Sequence, residues 1–475
     1  MINERGVHIM KNIIKAFVLL LISCLTISGV LSSVVQAASL NAKAKANLDK
    51  ELESMIGDDG THVPGVGVII YKDGKAVYSK YAGRSHIDAN NPSQDLPMTG
   101  DTRFRIASVS KQFTAFTIMQ LVSQGKMDLD TDISEYLGFK LRNPNYPNTP
   151  ITSRMLLSHT SSIRDGKIYS TPPMDSLQEF FKPNGKYYEN GSHFAPEGQA
   201  PGKYFKYTNL NYGILGTIIE KLTGERFDKY QRSHILKQLD IKGSYNVGDF
   251  DAKQLKQLGV IYQKQQGNTW NEHGPWIAQI DDYKGILQNP DLGLITNPDQ
   301  RATDGWYSLK NYIPGTNATI FSPQGGLRIS ANELSHMLEM LLNRGYYKGK
   351  EIVKPELIDE MFKLHWRYDA NNPNGSTYGG SLEGYGMAEQ PIFGNGTSRV
   401  VKDQVIDLQG HLGEAYGLLS GVMMRPNTND GFIYIMNGEA IAEDDDPRSA
   451  GNFSGNYIWE ENIMQAICKN AFLKQ

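Results

Sequence analysis

The sequence predicts a mixed α/β (α+β) fold: an antiparallel sheet built from both chain ends and flanked by helices, with a mainly helical inserted subdomain over roughly 106–320. Three observations lead there. β-like runs sit early, in VPGVGVIIYKDGKAVYSKYAG at 63–83, and late, in LLSGVMMRPN at 418–427 and GFIYIMNG at 431–438. Helical patterns fill the interval between them. The chain closes on NYIWEENIMQAICKNAF at 456–472, which carries a long apolar face. A single sheet that uses both ends is the simplest arrangement.

The elements follow in order. Residues 40–57 carry helix formers and stop at Gly57. The early β runs flank Asp73-Gly74, a hairpin signal. Residues 106–125 read as a helix that ends near Gly125, and ITSRMLLSHT at 151–160 as a short helix with a Thr cap. NYGILGTIIEKLTG at 211–224 is a helix ending on Gly224, and 331–344 and 355–364 are helical too. Segments 245–320 and 366–400 are rich in Gly, Asn, Pro and aromatic residues. They read as long ordered loops of the kind that rim a site.

Composition narrows the function. The chain has 475 residues, 40% hydrophobic and 21% charged, ample for a sizeable core. Its formal net charge of -3 gives no sign of a nucleic-acid binder. Lys11 and Lys15 precede AFVLLLISCLTISGVLSSVV, and the run closes on Val35-Gln36-Ala37. That pattern is a secretory signal peptide cleaved after Ala37, with an uncleaved membrane anchor as the alternative. Both place residues 38–475 outside the cytoplasm. Cys24 and Cys468 are the only cysteines, so removal of the leader leaves no internal disulfide. Cys468 is expected in the core. No HExxH or CxxC occurs, and neither a metal nor a cofactor is implied.

The chemistry starts at RIASVSKQFTAF, residues 105–116. Ser108 and Lys111 are three apart and share a helical face. A serine hydroxyl becomes a nucleophile when a base takes its proton, and a lysine whose pKa is lowered by burial can do so. S-x-x-K alone is a weak signal and more often marks a capping serine beside a lysine that reaches solvent.

The longer stretch FRIASVSKQFTAFTIMQLVSQGKMDLDTDISEYL decides between them. It resembles the nucleophile helix of the serine β-lactamase and penicillin-binding-protein superfamily, nearest to class C β-lactamase-like esterases and D-amino-acid-specific peptidases. The likeness runs from PGVGVIIYKDGK at 64 through MLLSHTSSI at 155 to the C-terminal helix. It implies a second motif at Tyr207-Thr208-Asn209, where Tyr207 serves as base or proton relay and Asn209 binds a substrate carbonyl and Lys111. It implies a third at His411-Leu412-Gly413, where His411 supports the Tyr207 hydroxyl and Gly413 lets the strand approach the substrate. The oxyanion would sit between the N–H groups of Ser108 and Glu414.

Two departures bear on substrate. Leu412 stands where a hydroxyl would help bind a carboxylate, which weakens D-Ala-D-Ala and β-lactam recognition. Glu414 would repel an anion and attract an ammonium, unless strand alternation turns it away. The resemblance therefore implies a small-molecule or cell-envelope substrate, either a D-alanyl ester or a peptidoglycan peptide. D-Ala-D-Ala carboxypeptidase or β-lactamase activity ranks below it, and a penicillin-binding sensor or cell-wall-binding protein is the rival of another class. Three features are expected to be bland. Glu443-Asp444-Asp445-Asp446 reads as a solvated loop and His159 as structural. Trp270, Trp276 and Trp306 either line a cleft or pack.

Overall fold

The computed structural model describes residues 39–296, 303–443 and 445–473. The leader or anchor expected over 1–37 lies outside the described residues. Residues from Leu40 onward form one compact unit.

Its centre is a seven-stranded sheet. In chain order the strands are β1 (Gly65–Lys72), β2 (Lys75–His86), β3 (Leu96–Pro97), β4 (Gln390–Ile392), β5 (Leu408–Ala415), β6 (Leu418–Met424) and β7 (Gly431–Met436). Their spatial order is β4-β5-β6-β7-β1-β2-β3, every pair antiparallel. The late strand β7 thus pairs with the early β1, Val66 opposite Met436 and Tyr71 opposite Gly431. The β1–β2 hairpin turns on Asp73 and Gly74 at φ 50° and 73°. Positive φ at both positions matches the twist of the flanking strands.

Alternation divides the sheet between two cores. Val66, Val68 and Ile70 of β1, with Phe432, Tyr434 and Met436 of β7, face one side. There they meet Leu48 and Leu52 of α1 (Ala42–Glu53) and Ile463, Met464 and Ile467 of the C-terminal helix Ile458–Ile467. Cys468 is buried in this layer. Ile69 and Ile433 face the other side, toward α2 (Ser110–Ser123), α3 (Leu210–Thr223) and α4 (Ala331–Leu342). Local chemistry sets the helix ends. α3 stops on Gly224 at φ 73°, and α4 starts on a reciprocal capping box between Ser330 and Glu333.

One boundary differs from expectation. The helical insertion does not run to 320. Past the short helix Ala252–Lys256 the chain makes strands at Ile261–Gln266, Trp276–Ile280, Leu292–Ile295 and Gly305–Ser308. These pairs are short and broken by turn residues such as Gly267, so they leave little periodicity to read.

Candidate active site

The strand Arg103–Arg105 pairs with Arg328–Ser330 and delivers the chain to Ile106, whose N–H is held by the Leu327 carbonyl at 2.9 Å. Ala107 then adopts φ 45°, a left-handed conformation costing a residue with a Cβ about 1–2 kcal/mol. The strain sits one residue before Ser108, in the 3₁₀ turn Ala107–Val109 that feeds α2. Ser108 stays partly exposed while Lys111, Gln112 and Thr114 behind it are buried.

Lys111 is 0% exposed. Its Nζ lies 2.9 Å from Ser108 Oγ, 2.9 Å from Asn209 Oδ1 and 3.1 Å from the Gln324 carbonyl. The last two oxygens only accept, so they take two N–H bonds. The third direction points at Ser108. It holds an N–H when the amine is charged and a lone pair when it is neutral. Burial lowers the Lys111 pKa to about 7, against the opposing pull of Asp165 and Glu414. An amine half neutral near pH 7 can accept the Ser108 proton.

Tyr207 and Asn209 enter from the start of α3. The Tyr207 ring lies 4.6 Å from Lys111 Nζ, and Ser108 is near enough to its hydroxyl to oppose part of the effect of burial on it. Burial pushes this phenol well above its usual range. Asp165 fixes the turn, since its carboxylate accepts from Asn209 N at 3.0 Å and Leu210 N at 2.7 Å. It also accepts from Asn209 Nδ2 at 3.4 Å, which turns the amide oxygen to Lys111. Asp165→Ala is expected to cost about 0.5–2 kcal/mol as a lost cap. Asn209 should also lose its orientation, so activity falls further than the melting temperature predicts when both are measured.

The strand β5 brings His411 and Gly413 to the same place. A Cβ on Gly413 would stand 2.6 Å from Ser420 Oγ, 2.8 Å from the Ile106 carbonyl and 3.1 Å from Ser108 N. Only glycine lets the strand lie this close to the nucleophile turn. His411 differs from expectation in its partners. Its Nδ1 donates to the Leu412 carbonyl, so Nε2 accepts, at 2.7 Å, from the Tyr385 hydroxyl rather than from Tyr207. Burial, with Lys111 nearby, holds its pKa down to about 3, and the ring stays neutral. Leu412 packs on the opposite face, and alternation puts Glu414 on that face too. Glu414 nonetheless lines the cleft at its exposed edge.

The cleft has a volume of about 730 Å³ and opens onto Ser108, Tyr207, Asn209, His411 and Gly413. One wall is Tyr378–Leu382, from the segment 366–400 expected to rim a site. Another is the loop 449–457. Glu461 holds that loop by accepting from Asn452 N, Phe453 N and Ser454 N at 2.9, 3.1 and 3.0 Å. Glu443 and Asp446 also line the cleft, so the acidic run is not merely solvated; Asp444 lies outside the described residues. The segment 245–320 contributes Thr296. Its Trp276 is buried and donates to Asp58 at 2.8 Å, while Trp306 is 40% exposed beside Tyr283.

Residues 48–454 match the beta-lactamase family. The chain belongs to this family of serine hydrolases. Within it, the Staphylococcus aureus (strain N315) protein named flp is 29% identical over 279 residues, 52% of this chain and 53% of that protein. The chain thus spans about half the length of that curated relative. A Bacillus subtilis (strain 168) protein named N-acetylmuramyl-L-alanine amidase is 25% identical over 356 residues, 70% of this chain and 72% of that one. Two solved structures share the fold. The octameric penicillin-binding protein homologue from Pyrococcus abyssi has a TM-score of 0.58 at 21% identity, covering 90% of this chain and 76% of that one. The D-amino acid amidase from Ochrobactrum anthropi SV3 has a TM-score of 0.57 at 19%, covering 90% and 99%.

Several residues of this beta-lactamase-family site were not singled out in the sequence. Asp165, Gln324 and Tyr385 lie far along the chain from the groups they contact. Gln324 acts through its backbone carbonyl, which leaves no side-chain signature. Arg105 also lines the cleft, and its guanidinium donates to the Gly325 carbonyl, Ser322 Oγ and Thr296 Oγ1.

Proposed function

We propose that the protein is an extracytoplasmic serine hydrolase that opens ester or amide bonds through an acyl-enzyme on Ser108. Its substrates are D-alanyl esters or peptidoglycan-type D-amino-acid peptides of a bacterial envelope. The observation that carries the proposal is the buried Lys111 amine, 2.9 Å from Ser108 Oγ with a pKa near 7.

The two candidate bases separate by pKa. Tyr207 is shifted upward and stays protonated at rest, whereas Lys111 is shifted downward and is half neutral at pH 7. Lys111 therefore takes the Ser108 proton as Oγ attacks the carbonyl. Tyr207 gives its own proton to the leaving group and recovers one from Lys111. The N–H groups of Ser108 and Glu414 hold the oxyanion, and Asn209 positions the substrate. Water enters by the reverse proton path and releases the acid.

Substrate class rests on charge and on the relatives. Glu414 and Glu443 line the cleft, which suits a substrate bearing an ammonium group; Asp446 beside them is paired with Arg448, and burial raises the Glu460 pKa to about 7. Leu412 offers no hydroxyl to a carboxylate, which places D-Ala-D-Ala carboxypeptidase activity second. The names of the B. subtilis and O. anthropi proteins, both amidases, point to amide chemistry. The apolar run before Ala37 supports export.

The test is hydrolysis of D-alanyl and L-alanyl esters by residues 38–475 across pH. Turnover should favour the D-ester. Because the base is the neutral amine, kcat/KM should rise with pH through a midpoint near 7, the value to which Lys111 is lowered. Equal use of both enantiomers would remove the substrate assignment. A profile flat from pH 5 to 9 would remove Lys111 as base.

A further inference from the structure

We propose that His159 is the positioning residue for Tyr207, clamping that residue from both sides of the chain. This rests on the reading of Tyr207 as the proton relay to Ser108.

The contacts are specific. The His159 carbonyl accepts from Lys206 N at 3.0 Å, and His159 Nδ1 accepts from Thr208 N at 3.1 Å. The residues immediately before and after Tyr207 are thus tied to one histidine. Between those ties the imidazole lies on the Tyr207 ring, centroids 4.2 Å apart and planes 30° apart. Backbone and ring of Tyr207 are therefore set by the same residue. His159 makes both bonds only because its backbone turns to φ 57°, a conformation a histidine does not adopt without cost.

The bonding also fixes the tautomer. Nδ1 accepts an amide N–H, so the ring proton is on Nε2. That atom is buried without a hydrogen-bond partner. Burial, with Lys111 and His411 nearby, keeps the ring neutral. A histidine held neutral, with one nitrogen orphaned, does not itself shuttle protons to Ser108. Its value lies in placement. The Tyr207 hydroxyl must meet Ser108 in a fixed geometry, and a displacement near 1 Å costs about 10²-fold in rate.

The test compares His159→Asn, His159→Gln and His159→Phe with wild type on a simple acyl ester. Asparagine puts an amide oxygen near the Nδ1 position and tolerates positive φ. Glutamine moves its amide past that position. Phenylalanine keeps the flat ring but has no acceptor. His159→Asn keeps the acceptor but loses the stacked ring, so kcat should fall about 3–10-fold, while the other two lose about 10–100-fold in kcat. KM should change less than about 3-fold in all three, since substrate contacts are untouched. If His159→Phe does not fold, the Asn and Gln pair decides alone. Equal activity in Asn and Gln variants, or a rise in KM at constant kcat, would overturn the clamp. A loss of kcat in all variants that parallels a drop in melting temperature would also overturn it, as a general structural role. Failure of the hydrolase reading is distinct: wild type would then show no turnover.

Discussion

Lys111→Met is expected to lower kcat/KM by about 10²–10⁴-fold, the usual worth of a positioned base, while leaving the protein no less stable. The two halves have one cause. Lowering the amine pKa from 10.5 to about 7 by burial costs the fold roughly 4–5 kcal/mol at pH 7. Methionine removes that cost. It leaves Asn209 Oδ1 and the Gln324 carbonyl without their donor, at about 1–3 kcal/mol each. The terms nearly cancel. Their pH dependence does not. Between pH 7 and 10.5 the unfolded wild type binds more protons than the folded one, so its stability rises with pH and the Lys111 penalty fades. Lys111→Met has no such term. Melting curves of the two proteins from pH 7 to 10 should converge or cross in favour of wild type as pH rises. A variant that is inactive because it is unfolded at pH 7 would contradict this.

Gly413→Ala is the second large effect, from a single methyl group. The new Cβ meets Ser420 Oγ at 2.6 Å, the Ile106 carbonyl at 2.8 Å and Ser108 N at 3.1 Å. The serine can rotate, but the carbonyl and amide are backbone of the nucleophile turn. β5 must therefore move away from Ser108, and the pair of N–H groups assigned to the oxyanion moves apart. A fall of about 10–100-fold in kcat is expected. Adding Ser420→Ala removes the nearest clash and not the backbone ones, so the double variant should remain impaired. Full recovery in the double variant would show that the close approach to Ser108 does not matter.

The sheet was legible because its apolar residues alternate. Val66, Val68 and Ile70 against Ile69 and Tyr71 already separate the two cores that the fold fills. The helix ends were legible where a cap or glycine marks them, as at Thr152 and Gly224. The segment beyond Lys256 was not, since its short paired strands carry neither period for long. Within the site, Ser108, Lys111, Tyr207, Asn209, His411 and Gly413 stand in short motifs, and the fold brings five of them to one cleft with Lys111 buried behind Ser108. What supports them is hidden for physical reasons. Gln324 contributes a carbonyl, Asp165 caps a helix 44 residues away, and Tyr385 takes the His411 nitrogen expected to serve Tyr207. Glu414 shows the limit of alternation. It points with Leu412 away from the nucleophile face, yet the strand edge still exposes it to the cleft.

The central claim is that Ser108 carries the acyl group, and intact mass tests it most directly. Residues 38–475 and the Ser108→Ala variant would be mixed with a slowly deacylated ester and sampled within one turnover. The account predicts an adduct of the acyl mass on wild type, mapped to the peptide containing Ser108 and absent from the variant, with turnover as it decays. An adduct that persists without turnover would contradict hydrolysis and favour a binding or sensing role. Turnover that survives in Ser108→Ala would contradict the account at its root.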